Sequence, residues 1–447
     1  MSVGFKASRT DVWKDVSEVK KRFRVSKIIV LICVTASCFL MACGDDASIS
    51  VPPVAEGNIG GEQDVTAVPE MTAEPESITP EPTTIPVAVA TRAPELTGTA
   101  EPVVTQPAFT AEPTVTSEPE PTATPGTVQI VISAAGDVTL GNYLGQGYSN
   151  SFDDTYAQGV GDAYFFENVA DIFAADSLTL VNLEGPLTDS EEPREGQTFT
   201  ISGAPEYVNI LLEGNVEAVS MANNHRMDYL EKGTEDTVAA LTEAGIVYAY
   251  DDVVGVYEVD GIQIGMISVN EVNEGWLVEA KIQSGIEKLK EAGADLIIVS
   301  CHWGVEKENY PEEYQTKLGR KCVTWGADLV IGHHPHVLQG IEEYKGKYIV
   351  YSLGNFCFGA NRNPTDKDCM IFQQTFTFEA GELQADKDIR VIPCSISSTT
   401  KRNDYKPTPA EGKEAKRIIG RINEYSAEFG LEFDDTGVLI APDSKGE

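Results

Sequence analysis

Residues 326–340 read Gly-Ala-Asp-Leu-Val-Ile-Gly-His-His-Pro-His-Val-Leu-Gln-Gly. An apolar run, Leu329 to Ile331, ends at Gly332 and is followed by three histidines within four positions. The chain has five histidines, and the others, His225 and His302, also stand where apolar runs end. Working outward, Ala134-Ala135-Gly136-Asp137 follows the run Val128–Ala134, and Asn182-Leu183-Glu184 closes Leu178–Val181. Asn223-Asn224-His225 follows Val216–Met221, and His302-Trp303-Gly304 follows Leu296–Ser300. Short apolar runs of this kind read as buried strands. The stretches between several of them, such as Glu231–Ala244, Lys281–Ala292 and Glu312–Trp325, have helical spacing. Strands alternating with helices predict an α/β domain with a largely parallel inner sheet. In such sheets the carboxyl ends of the strands are where sites form.

Five strand ends thus present Asp137, Glu184, Asn224-His225, His302 and His334-x-His336. Carboxylates, an amide oxygen and neutral imidazoles together suit a borderline divalent metal such as Mn, Fe or Zn. Two such ions about 3.5–4 Å apart, bridged by a carboxylate, form a hydrolytic clamp. His334 and His336 are two apart, so on an extended segment both would reach the same cluster. Trp303 has two open roles, stacking on substrate or packing in the wall beside its strand. His333 likewise either meets a substrate anion or hydrogen-bonds a ligand. Asn355 reads as a residue that orders a turn near the site.

The blocks Gly136–Gly141, Asn182–Leu187, Ala222–Tyr229, His302–Glu306 and Gly326–Gly340, with Tyr351–Phe356 behind the last, resemble the bacterial capsule-synthesis CapA family. That family belongs to the calcineurin-like metallophosphoesterase superfamily. The resemblance covers about residues 128–358 and implies a layered α-β-β-α sandwich. It implies that Asp137 and His336 hold a first metal, that Glu184 bridges, and that Asn224, His302 and His334 hold a second. His225 takes the position of the imidazole that assists bond cleavage, and Asn223, Trp303 and His333 are candidate substrate contacts. One or two divalent ions per domain are expected, because Thr139 stands where the superfamily has a histidine. Lys307 stands where the family often has Tyr. The implied role is in synthesis, export or anchoring of a poly-γ-glutamate-type capsule, through a metal-dependent hydrolase-type site. The implied partners are an anionic exopolymer or phosphate-ester substrate and membrane-bound capsule synthesis proteins. A phosphoesterase acting outside the membrane and a non-enzymatic polymer-guiding subunit are the alternatives.

The rest of the chain has a different texture. The 447 residues carry 33 Lys+Arg against 70 Asp+Glu, a formal net charge of −37. A polyanion of that size repels nucleic acid, so a nucleic-acid partner is excluded. A basic stretch, Lys20 to Lys27, precedes the apolar run Ile28 to Ala42, which ends in Leu40-Met41-Ala42-Cys43. The run is shorter than the roughly 20 residues a spanning helix needs. It reads as a lipoprotein signal peptide over residues 1–43, with Cys43 lipidated on the outer face of the plasma membrane. Residues 44–126 hold 14 of the 24 prolines and repeat Thr-Ala-Glu-Pro three times, which predicts a disordered Pro/Thr/Glu-rich stalk. Residues 127–447 form the expected folded domain. Its five cysteines read as small buried residues rather than a disulfide framework. Fatty-acid labelling in a bacterial host should depend on Cys43, and Cys43→Ser should remove the label; a labelled variant would disprove the anchor.

Overall fold

In the Thr127–Thr139 strand, Ile130, Ile132 and Ala134 share one core while Ala135 belongs to another, as period-two alternation requires. The alternation then slips. Val138 joins the core of Ala135, because pairing with the Leu178–Leu183 strand shifts register between Ala134 and Asp137. This bulge turns Asp137 away from the helix-facing core and toward the neighbouring sheet. Gly136 is required there: a Cβ would lie 1.9 Å from the Gly354 carbonyl oxygen. The Asp137 N–H donates to that same oxygen at 3.0 Å.

The computed structural model describes residues 87–91 and 126–440, apart from 146, 386 and 387. Two sheets lie face to face. In the nine-stranded sheet, Thr127–Thr139, Leu178–Leu183, Ala218–Ser220 and Val247–Ala249 run parallel, and Asp368–Glu379 and Ile389–Ser395 extend the sheet antiparallel. In the seven-stranded sheet, Ile262–Asn270, Leu296–His302, Leu329–His333 and Lys347–Val350 are parallel. Ile132, Leu180 and Ala218 of the first sheet meet Ile264, Ile298 and Ile331 of the second in one buried cluster. Opposite faces carry separate cores. Val181 and Val219 pack against Phe166, Ile210 and Leu241, while Ile267, Val299 and Val330 pack against Ile282, Leu289 and Leu318. The order of layers is helices, sheet, sheet, helices, the expected α-β-β-α sandwich. Helix Gly412–Ser426 closes the cluster between the sheets with Ile418, Ile419 and Ile422.

Cys301, Cys322, Cys357, Cys369 and Cys394 are all buried and free, as their reading as small core residues expects. Among the described residues no helix is long and apolar enough to cross a membrane. The signal-peptide reading, Cys43 and most of the stalk fall outside the described residues. One part of the stalk does not, and it differs from expectation. Val87–Thr91 form a strand that pairs parallel with the Val254–Val259 strand, in register Val87 to Val254 through Thr91 to Glu258. Val87, Val89 and Thr91 are β-branched, and no proline interrupts the five residues. A chain starting at residue 80 should therefore melt a few degrees above one starting at 127. The shorter chain should also self-associate more at high concentration, because loss of Val87–Thr91 bares the longer Val254–Val259 strand as the sheet edge. Equal melting and association of the two chains would show that this strand adds nothing.

Candidate metal centre

The parallel strands of both sheets end at one place. Asp137, at the bulge, is fully buried, and its Oδ1 accepts from Asn182 Nδ2 at 2.9 Å. Glu184 follows the Leu178–Leu183 strand and is 1% exposed; its Oε2 accepts no hydrogen bond among the described residues. Across the sheet interface, His336 Nδ1 lies 3.0 Å from Asp137 Oδ2, and His336 Nε2 lies 3.7 Å from Glu184 Oε1. One ligand atom from each of Asp137, Glu184 and His336 falls within 4.8 Å of the others. The structure thus brings together the three residues assigned to the first metal and the bridge.

His334 and His336 arrive there by a different route from the one expected. The strand ends at His333, and the next residues are not extended: φ is +98° at His334 and +58° at His336. A left-handed backbone at two non-glycine residues is strained, and such strain persists only where surrounding contacts hold it. Asn355 supplies one of them. Its Nδ2 donates to the His336 carbonyl at 3.1 Å, which leaves Oδ1 to accept from His336 Nδ1 at 3.0 Å. That contact assigns a proton to Nδ1 and turns Nε2 toward Glu184.

The second group meets pairwise. His302 Nε2 is 2.7 Å from Asn224 Oδ1, and the His302 and His334 rings lie 4.8 Å apart. The Nδ1 atoms of His302 and His334 are buried and make no hydrogen bond among the described residues. Burial, reinforced by neighbouring imidazoles, holds His302 well below the usual histidine range and His334 down at about 4. Both are therefore neutral, the form that binds metal. Burial also acts on His336, but Glu184 and Asp137 outweigh it and raise its pKa. Asp137 is held well below the carboxylate range by His333 and His336 despite its burial, whereas burial raises Glu184. Two buried carboxylates need a compensating positive charge, from an imidazolium or from a divalent cation. The unpaired Glu184 oxygen and the two unpaired imidazole nitrogens fit the cation.

His225 stands slightly apart. Its Nδ1 is 2.7 Å from Asp228 Oδ2, its Nε2 is 3.9 Å from Glu184 Oε1, and its ring reaches the cleft. Asp228 and Glu184 outweigh burial and raise its pKa. Of the three candidate substrate contacts, Asn223 lies elsewhere than expected, and Trp303 and His333 take the packing and supporting roles of the two left open for each. Asn223 is buried and donates to Asn182 Oδ1 at 3.2 Å and to the Leu183 carbonyl at 2.8 Å, so it positions the strand ends. Trp303 is fully buried among the helix-side residues and donates to the Tyr351 carbonyl, which makes it wall and not substrate contact. His333 is 1% exposed with Nδ1 3.5 Å from Asp137 Oδ1, a supporting neighbour of the ligand carboxylate. Thr139 is fully buried, its Oγ1 without a hydrogen-bond partner among the described residues, and it sits beside Phe358 in the sheet. Sequence reasoning missed Asn182 and Asp228. Both lie inside the motif blocks, Asp228 three residues after His225, a spacing that lets one turn join them. Above the centre opens a cleft of about 520 Å³, with Tyr143, Phe199, Glu306, Lys307 and Phe358 in its walls.

Fold and site together define a metallophosphoesterase-like protein. A family model described as "Bacterial capsule synthesis protein PGA_cap" matches residues 131–360. The chain is 31% identical over 327 residues to the PGA biosynthesis protein CapA of Bacillus subtilis (strain 168), covering 68% of this chain and 81% of that protein. It is 29% identical over 268 residues to the capsule biosynthesis protein CapA of Bacillus anthracis, covering 54% of this chain and 63% of that one. The chain belongs to the bacterial capsule synthesis protein family described by that model. Asn355→Ala should weaken divalent-metal binding by about 10–100-fold, the usual effect of removing a partner that orients a ligand. Titration calorimetry with Mn²⁺ checks this, and unchanged affinity would remove Asn355 from the centre.

Proposed function

We propose that this chain acts at the cell surface in the making, export or anchoring of a poly-γ-glutamate-type capsule, through a metal-dependent hydrolytic site. The observation that carries this reading is the gathering of Asp137, Glu184 and His336 at the floor of an open cleft, in a member of this family. Asp137, Glu184 and His336 would hold one divalent ion, Mn, Fe or Zn, and Asn224, His302 and His334 a second. Such ions supply activated water and charge neutralisation when bound.

The remaining steps belong to the protein. His225, held by Asp228, presents Nε2 to the cleft and gives a proton to the leaving group. The Ile201 N–H donates to the same Asp228 oxygen at 2.8 Å, which fixes the carboxylate and so the imidazole. Tyr143 and Phe199, rings 4.8 Å apart, form an apolar wall on one side of the cleft. The reading includes a lipid anchor at Cys43, which would place the domain beside membrane-bound synthesis proteins.

Full-length protein supplied with Mn²⁺ should shorten poly-γ-glutamate, followed by chain length on gels. His225→Ala should lower turnover by about 10²–10⁴ with metal content unchanged. Cleavage of phosphate esters without any action on the polymer would replace this reading with a phosphoesterase.

A further inference from the structure

Acidic residues outnumber basic ones about two to one in this chain, yet an anionic polymer must dock on it under the function proposed above. A second pocket resolves the conflict. It holds about 300 Å³ and is lined by Ser149, Asn150, Arg362, Asn363, Lys401 and Arg402. Three of the six are cations and none is an acid. Among the described residues, no ion pair engages Arg362, Lys401 or Arg402. The acids nearest to them in sequence are committed elsewhere: Asp366 pairs with Arg421, and Asp404 accepts from Ser397 and Ser398. Asn363 lines both this pocket and the metal cleft, so the two are neighbours.

The pocket is built into the fold. Asn403 is fully buried; its Nδ2 donates to the Phe358 carbonyl at 2.7 Å and to the Asn361 carbonyl at 3.0 Å. Its backbone N–H donates to the Arg362 carbonyl at 2.9 Å, which joins the 361–363 and 401–403 loops. Tyr405 Oη donates to the Asn150 carbonyl at 2.9 Å and ties in the third segment. Arg362 lies over the Tyr148 ring at 5.4 Å. Arg421 grips both oxygens of Asp366 and fixes the far end of the 361–366 loop. That loop begins where the Asn355–Phe358 strand ends, the strand whose Asn355 holds His336.

We propose that the Arg362–Lys401–Arg402 pocket is a subsite for the carboxylates of an anionic polymer whose reacting unit lies in the metal cleft. The proposal rests on the functional reading above. Guanidinium groups pair with carboxylates in two-pronged fashion. Three exposed cations on tied loops beside a cleft suit a chain that carries charge at every unit, and the negative surface elsewhere confines the chain to this track.

The test measures binding of fluorescein-labelled poly-γ-glutamate oligomers to the full-length protein by anisotropy, with Mn²⁺ and with EDTA. An exposed ion pair contributes only a few-fold. Replacing all three cations (R362Q, K401Q, R402Q) should therefore weaken long oligomers about tenfold and flatten the salt dependence, with or without metal. Glutamate dipeptides, too short to span both pockets, should bind the variant as they bind the parent. R362K with R402K should keep part of the affinity, because the charge stays while the two-pronged pairing is lost, and neutralising Lys317, Lys321 and Lys345 on another face should change nothing. If long oligomers bind parent and triple variant equally, the subsite is overturned while the functional reading stands. If no oligomer binds the parent protein, subsite and reading fall together. Loss of polyphosphate binding alone in the variant would overturn the polycarboxylate as occupant.

Discussion

Two carboxylates, Asp137 and Glu184, are buried side by side at the ends of parallel strands. Taking one carboxylate out of water costs several kcal/mol even after relaxation, and two near each other cost more. The architecture around them is organised by that cost. Asn182 and His336 hold Asp137, Asn223 holds Asn182, and Asn355 holds His336. Both sheets must be in place for these partners to meet, because Asp137 and Glu184 come from one sheet and His336 from the end of the other. The site is therefore the seam of the sandwich, and it forms only when the fold is complete.

Most strand ends were readable in advance, because a buried parallel strand is a short apolar run and its end is marked by the first polar residue. Asp137, Glu184, Asn224, His302 and His336 were found that way. The direction in which each side chain points was less readable. Period-two counting from Ile130 puts Asp137 on the helix side, and only the bulge at Ala135–Gly136 turns it inward. Extended spacing explains His334 and His336 equally poorly, since a left-handed turn brings them together. Asn223 was misjudged, because a polar residue beside a ligand looks like a substrate contact until burial shows that it positions the strand ends. The basic pocket was invisible, because Asn150, Arg362 and Arg402 are distant in sequence and only the Asn403 and Tyr405 hydrogen bonds assemble them.

Charge is distributed with the same logic. The surplus of acid keeps the surface negative, which suits solubility and discourages unspecific contact with other polyanions. Arg362, Lys401 and Arg402 lie together in the pocket beside the cleft, where attraction acts over about a Debye length and guides only what comes close. Selectivity of this kind depends on the contrast between the pocket and its surroundings more than on the strength of any one pair.

The Val87–Thr91 strand has a mechanical consequence. A pull arriving from the N-terminal side reaches this strand before it reaches Thr127–Thr139, the central strand that carries Asp137. The five paired residues lie on the outermost edge of the seven-stranded sheet, so their hydrogen bonds can part and close again while every other strand keeps its neighbours. Were the N-terminal side anchored as proposed, such an edge strand would be a yielding link, and tension would be spent there before it could distort the centre.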